Sequence, residues 1–253
     1  MLKYYGGFAL ALIAAVIWGS AAFADDLWQN EAVVTLVQGT ARVVAKGVPA
    51  GRALKKGDKI YKDDTIKVAD KSRLEMLCPD GTVMRFSAKS NVRMSEIRYN
   101  KQTTDKNIKV NLAVGKLWAK VKRIASPDSS VIVETSNAVA GVRGTVYRVN
   151  VEDDQSALVR VYDGSVYVAS PPRETAGKPP VQVSKPAEVP GPSQVSPPYH
   201  EVTMQEWTYI VHAMQQITVS SQGAASQPQN FDPKADADEW VKWNQERDTT
   251  TTF

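Results

Sequence analysis

Short runs in which every second residue is apolar fill the stretch from Val131 to Val168, and polar turns at Glu152–Ser156 and Asp163–Gly164 separate them. Alternate side chains of a strand point to opposite faces of a sheet, so this pattern predicts half-buried strands. The acidic turn and the Asp-Gly pair are typical of tight connections between antiparallel strands. The stretch is therefore predicted to be a β-meander.

A shorter pattern recurs through the same part of the chain. A Gly is followed by Thr, Ser or Lys and then by an alternating run, and each Gly is predicted to adopt the positive φ of a tight turn or bulge. The spacing of the copies is irregular, which argues against a strict solenoid repeat. The pattern predicts an all-β fold, a stack of short antiparallel strands and hairpins arranged as a sandwich or in a solenoid-like pile. The five copies begin at Gly39, Gly81, Gly115, Gly144 and Gly164.

The meander resembles the end of a FecR domain, the exported module named after the ferric citrate regulator. The matching residues, in order, are Thr135, Ala138, Gly141, Arg143, Gly144, Thr145, Tyr147 and Gly164. The resemblance extends more loosely back to about residue 33 and implies a FecR-like β domain over residues 25–170. Arg143, the only charge in a run of small residues, is interpreted as a structural hydrogen-bond donor to nearby carbonyls. The positions treated as a structural FecR motif are Gly141, Arg143, Gly144, Thr145, Tyr147, Asp163 and Gly164.

The first 24 residues have the pattern of a signal peptide. Lys3 precedes an apolar run, and Ala22-Phe23-Ala24 fits a small-x-small cleavage site. The alternative is an uncleaved anchor, because the apolar run is just long enough to span a bilayer. In either case the rest of the chain is expected outside the cytoplasm, in the periplasm or secreted.

Composition changes sharply after the β domain. Nine of the 14 Pro residues lie between residues 171 and 198, so residues 171–199 are predicted to be an extended linker. Residues 200–219 are predicted to form an amphipathic helix, because Met204, Trp207, Ile210, Val211, Met214 and Ile217 recur at helical spacing. That helix could dock a partner or fold back onto the β domain.

Residues 220–253 are predicted to be a flexible tail containing a short helix around Trp240 and Trp243. The Trp-Asn-x-x-Arg-Asp sequence from Trp243 to Asp248 resembles a terminal motif of some exported FecR-type proteins.

Charge divides the chain in the same way. Residues 25–170 hold 24 Lys and Arg against 17 Asp and Glu, whereas residues 171–253 hold 6 against 10. The basic part could attract an anionic partner, or the acidic tail could partly neutralise its own domain. The chain shows no recognisable nucleic-acid module, and nucleic acid is not an expected partner of an exported protein.

No catalytic site is predicted. The chain has one Cys, Cys78, and two His, His200 and His212, without the spacing of a zinc site. It has no nucleophile elbow, phosphate-binding loop or dinucleotide fingerprint. Cys78 lies in an apolar run and is interpreted as a small buried hydrophobe. We therefore expect a protein that is not an enzyme and that has no cofactor and no metal.

Two functions from different classes remain. The family resemblance implies a protein-binding, sensing or scaffold module of the cell envelope, with partner binding by strand addition. Only about three residues precede the apolar segment, so the chain resembles the sensing domain without a cytoplasmic anti-sigma segment. The alternative is binding of envelope polysaccharide or peptidoglycan through exposed aromatic residues. An uncleaved N-terminus would instead make the chain a membrane-anchored signalling protein. The candidate interaction residues are Trp118, Trp207, Trp240 and Trp243.

Overall fold

A computed structural model describes residues 28–48, 50–123, 126, 129–172 and 207–250. The predicted signal peptide and nearly all of the predicted linker lie outside these ranges. In chain order the elements are β1 Trp28–Gln29, β2 Glu31–Gln38, β3 Ala41–Val44, β4 Arg52–Ala53, β5 Lys59–Tyr61, β6 Thr65–Val68, β7 Arg73–Leu77, β8 Val83–Phe86, β9 Asn91–Asn100, β10 Lys106–Lys120, β11 Ser130–Glu134, β12 Val139–Val142, β13 Val146–Val151, β14 Ala157–Asp163, β15 Ser165–Ala169, β16 Thr208–His212, β17 Gln215–Val219, β18 Gln229–Asn230 and α1 Glu239–Thr250.

The strands form two sheets that share one long strand. Sheet A has the order β4-β3-β6-β9-β10-β11-β12-β15-β16, with β1 beside the end of β9. Sheet B has the order β5-β2-β7-β8-β10-β13-β14-β17-β18. The first part of β10 pairs in sheet A, and the part from Gly115 onward pairs in sheet B. The β10–β11 pair is parallel and the others are antiparallel.

The predicted glycine turns are confirmed as positions of positive φ. The five glycines have φ between 72° and 105°. Four of them lie where the chain passes from one sheet to the other: Gly39 between β2 and β3, Gly115 within β10, Gly144 between β12 and β13, and Gly164 between β14 and β15. The fifth, Gly81, turns β7 into β8 within sheet B. The recurring sequence pattern therefore marks mainly the crossings between two sheets.

One contiguous cluster of buried apolar residues draws on both sheets and forms the core. Val34 and Met76 enter it from sheet B, and Val133 and Val168 enter it from sheet A, all fully buried. Cys78 is also buried in this cluster, as predicted, and burial raises the pKa of its thiol. The predicted all-β fold class is confirmed.

The helix predicted over residues 200–219 is wrong for its described part. Residues 208–219 form the hairpin β16–β17, turned at Met214 with φ 63°. The helical spacing competes with a strand alternation in which Val211, Ile217 and Val219 enter the core. Tertiary pairing decides the outcome, because β16 extends sheet A beside β15 and β17 extends sheet B beside β14.

The division into a domain ending at residue 170 and a flexible tail also needs correction. β16, β17 and β18 are strands of the two sheets, and α1 packs on sheet B through Trp240 and Val241. A short helix does occur around Trp240 and Trp243, but it belongs to the folded body.

Candidate functional site

A row of neighbouring side chains crosses the outer face of sheet B. Glu75, Arg85, Trp118, Arg148 and Arg160 occupy successive opposed positions on β7, β8, β10, β13 and β14. All but Arg160 are buried. The core lies on the opposite face of the sheet, where the alternate residues of the same strands point, so another element must cover this row. The cover is the C-terminal strap, which we define as residues 231–250.

Helix α1 of the strap supplies the partners at one end of the row. Arg85 donates to Glu75 at 2.7 Å and to Asp248 at 2.6 Å. Asp248 also accepts the indole N–H of Trp118 at 2.9 Å, and Arg247 binds both carboxylate oxygens of Glu75 at 2.7 and 2.8 Å. The Trp-Asn-x-x-Arg-Asp motif thus places its charged residues on a buried ion-pair network.

Arg148 and Arg160 form the other end of the row. Their partner in the strap is Asp236, which precedes α1 in the chain. Asp236 accepts hydrogen bonds from Arg148, Arg160 and Tyr162. Burial, together with the hydrogen bond to Asp236, raises the pKa of Tyr162. The Tyr162 ring also lies 4.6 Å from that of Trp118, centroid to centroid. The strap therefore holds the outer face of sheet B at both ends.

Glu75 makes the stability of this attachment depend on pH. Burial alone would raise its pKa, but the hydrogen bonds from Arg247, Arg85 and Thr35 outweigh burial and lower the pKa from 4.5 to about 2. A carboxyl whose folded-state pKa is depressed stabilises the fold fully above its unfolded-state pKa, and that contribution is lost as the pH falls through the folded-state value. We expect the stabilising effect of Glu75 to fade between pH 4.5 and about 2.

The measurement is urea unfolding of the native chain and of Glu75→Gln between pH 7 and pH 2.5. The native chain should be the more stable at pH 7, and the difference should shrink below pH 4.5. A difference that stays constant down to pH 2.5 would contradict the depressed pKa. Comparing the two proteins removes the contribution of the other carboxyl groups that titrate in this range.

The four tryptophans proposed as interaction residues all make contacts within the fold. Trp118 is 1% exposed and Trp240 is 6% exposed, so neither is an exposed interaction residue. Trp243 stacks on Trp240 with centroids 5.3 Å apart. Trp207 packs against the core and donates its indole N–H to the carbonyl of Gly223 at 2.9 Å. Trp207 and Trp243 are half-buried, so their role as interaction residues stays a prediction.

Part of the FecR motif joins two of the turns between the sheets. Thr145 is buried and donates its hydroxyl to the carbonyl of Ser165 at 3.0 Å. A Cβ at Gly144, where φ is 72°, would lie 2.8 Å from the Cα of Arg123. A Cβ at Gly164, where φ is 80°, would lie 2.8 Å from the carbonyl oxygen of Gly144. These positions need glycine for both conformation and space.

Two further motif positions lie beside these turns. Tyr147 is fully buried in the core, and burial raises the pKa of its hydroxyl. Asp163 is the last residue of β14 and is exposed. Together with the two glycines and Thr145, they shape the β13–β15 meander.

Gly141 and Arg143 have a different environment from the rest of the motif. Gly141 lies within β12 without a positive φ, and a Cβ built on it would meet only the Cδ1 of Tyr167, at 3.9 Å. Arg143 is exposed, and within the part of the chain that the structure describes its guanidinium has no hydrogen bond or ion pair. Among the described residues no carbonyl accepts a hydrogen bond from Arg143, and its interpretation as a structural donor stays a prediction.

The outer face of sheet A around these two residues is uncovered by any described element. Ile132, Gly141, Tyr167 and Ile210 lie opposite one another on β11, β12, β15 and β16 and form one row. Tyr167 is 50% exposed and Ile210 is 56% exposed. A groove of about 400 Å³ opens over this row and extends to Arg143. Exposed apolar surface of this kind marks interaction sites more often than isolated apolar residues do.

The row ends at a sheet edge that lacks the usual protection. β16 has five residues and no Lys, Arg, Asp, Glu or Pro. The other outermost strands of the described sheets are shorter: β4 and β18 have two residues each, and β5 has three, including Lys59. Short or charged edge strands discourage pairing with another chain, so β16 is the edge most open to it.

The described residues offer no other obvious chemistry. They contain no group of three or more His, Cys, Asp and Glu residues arranged to hold a metal ion. None of the helices in these ranges has the length and apolar character needed to cross a membrane.

Sequence reasoning missed the residues that define both faces. Glu75 and Arg85 sit at the polar positions of alternating runs, which marks them as outward-facing but not as buried. Ile132, Tyr167 and Ile210 became neighbours only through the pairing register, which the sequence pattern does not specify between non-adjacent strands.

Comparison with known proteins agrees with the sequence resemblance. Residues 64–167 match the family described as FecR protein, which confirms the resemblance to a FecR domain for this part of the chain. No curated protein matches the chain. Two crystal structures of a proposed anti-sigma factor from Parabacteroides distasonis ATCC 8503, at 2.50 and 1.65 Å resolution, are similar to it at 20% identity, with TM-scores of 0.44 and 0.46. The similarity covers 67% and 72% of this chain but 61% and 64% of those chains, which is less than two thirds of their length.

Proposed function

We propose that this chain, which contains a FecR domain over residues 64–167, is a non-enzymatic protein-binding module that senses or scaffolds a partner in the cell envelope. The signal-peptide pattern of residues 1–24 supports a periplasmic or secreted location. The FecR family is regulatory, which favours binding over catalysis. A membrane-anchored signalling protein is the variant of this function that applies if residues 1–24 are retained.

The observation that carries the proposal is the contrast between the two outer faces. Sheet B is covered by the C-terminal strap, and its buried charged side chains form ion pairs within the chain. Sheet A instead presents Tyr167 and Ile210 to solvent beside the uncharged edge strand β16. A partner segment could add to β16 through backbone hydrogen bonds while its side chains pack on the exposed row.

The proposal is tested by cross-linking in intact cells. A photoreactive amino acid at Ile210 in the full chain should give an ultraviolet-dependent adduct with one envelope protein, identified by mass spectrometry. Tyr61 is the matched control, because it is 48% exposed on β5, the edge strand of sheet B. The same label at Tyr61 should not capture that protein.

Competition with an unlabelled copy makes the result specific. Excess native chain should abolish the adduct, whereas excess Ile210→Asp should not, because a carboxylate would be desolvated in the apolar contact. Equal capture at Ile210 and Tyr61, or adducts that contain only this chain, would argue against a protein-binding role for this face.

A further inference from the structure

Gly141 is a glycine that the fold does not require. Glycine inside a strand weakens it by roughly 0.5–1 kcal/mol relative to alanine, so its presence calls for a reason. The backbone there has no positive φ, and the space above the Cα is open to 3.9 Å. This contrasts with Gly144 and Gly164, where both conformation and contacts exclude a side chain. Strand glycines of this kind often mark a place where a ligand or another backbone approaches closely.

The missing side chain shapes a slot on the outer face of sheet A. Gly141 forms its floor, and the side chains of Ile132 on β11 and Tyr167 on β15 stand on either side. Arg143 lies two residues further along the chain, in the bend that follows β12, and lines the same groove. The slot therefore combines an apolar space with an exposed cation at one end.

We propose that this slot binds an extended segment of the partner protein, with an apolar side chain over Gly141 and a carboxylate two residues away on Arg143. Residues i and i+2 of an extended segment share one face and are about 7 Å apart, so one side chain can enter the slot while the next on that face faces the long side chain of Arg143. The apolar side chain buries itself between Ile132 and Tyr167, and the carboxylate gives Arg143 the charged partner that it lacks among the described residues. The pattern is apolar-x-Asp/Glu. This inference rests on the proposed protein-binding function.

A displayed library of random peptides, selected on the full-length native chain, tests the pattern directly. Selected peptides should be enriched in an apolar residue two positions from Asp or Glu. Their affinity should fall at least tenfold for Gly141→Leu, which fills the slot, and at least tenfold for Arg143→Glu. The matched charge control is Lys62→Glu, an exposed position next to β5, which should leave the affinity unchanged.

Folding of the variants is checked by thermal unfolding, and Gly141→Ala serves as a smaller second variant that should weaken binding about threefold. Full affinity of the selected peptides for Gly141→Leu would overturn the slot. So would a photo-cross-link from Ile132 in the purified protein to its own residues 173–206, because the occupant would then be this chain. If the Ile210 adduct forms in cells and persists in Gly141→Leu, the protein-binding function is supported and the slot proposal is wrong. If no adduct forms, both proposals are wrong.

Discussion

Replacing Asp236 with Asn is expected to lower the free energy of unfolding by about 3–5 kcal/mol, because one carboxylate balances two guanidinium groups at a buried site. Asp236 accepts from Arg148, Arg160 and Tyr162, and the side chain of Arg148 is 4% exposed. Asn has nearly the same shape but no charge, so it leaves the buried Arg148 without an anion. Urea unfolding at pH 7 measures the change.

Asp153→Asn is the matched control for this substitution. Asp153 is exposed in the turn between β13 and β14, where the same chemical change should alter stability by less than about 0.5 kcal/mol. A loss below 1 kcal/mol for Asp236→Asn would mean that water or a rearranged strap satisfies the arginines. Hydrogen exchange of α1 would detect such a rearrangement, because its amides would exchange faster while those of β10 stayed protected.

Replacing Gly144 with Ala is expected to cost about 2–5 kcal/mol. The positive φ of 72° strains any residue with a Cβ, and that Cβ would meet the Cα of Arg123 at 2.8 Å. Backbone cannot move aside as a flexible side chain can, so the turn between β12 and β13 must shift. The thermal unfolding midpoint and the urea midpoint should both fall.

Gly47→Ala separates the two causes of that loss. Gly47 has a similar φ of 75°, but a Cβ there would meet nothing within 4 Å. It should therefore show the conformational cost alone, about 1 kcal/mol. Equal losses of stability at positions 47 and 144 would show that the close contact between position 144 and the backbone of Arg123 contributes nothing.

The sequence was sufficient where structure is local. Alternating runs predicted the strands of the meander, and each recurring Gly was correctly predicted to have a positive φ. It failed at β16–β17, where Trp207, Ile210, Val211, Met214 and Ile217 satisfy a helical period by coincidence. The strands there depend on pairing with β14 and β15, and the chain brings these together only across residues 170–207. Local preference cannot anticipate a partner so distant in sequence.

The candidate site was partly predictable for the same reason. The family resemblance identified Gly141 and Arg143, but only the register shows that Gly141 lies between Ile132 and Tyr167. The charge division of the chain allowed for an acidic tail that partly neutralises its own domain. The ion pairs Asp236–Arg148 and Asp248–Arg85 are contacts through which the tail neutralises the domain.

The order in which the chain emerges during synthesis gives the C-terminal strap a kinetic consequence. Arg85 and Asp248 are 163 residues apart, so the charged row on sheet B, which ends at Arg160, is made long before its cover. Until residues 207–250 arrive, β14 and β15 are edge strands with one side unpaired, and the arginine row lies in water. Folding should therefore proceed in two stages, with closure of a long loop limiting the second. A chain stopped before residue 207 would carry two open strands and a basic face, the state in which aggregation competes most directly with folding.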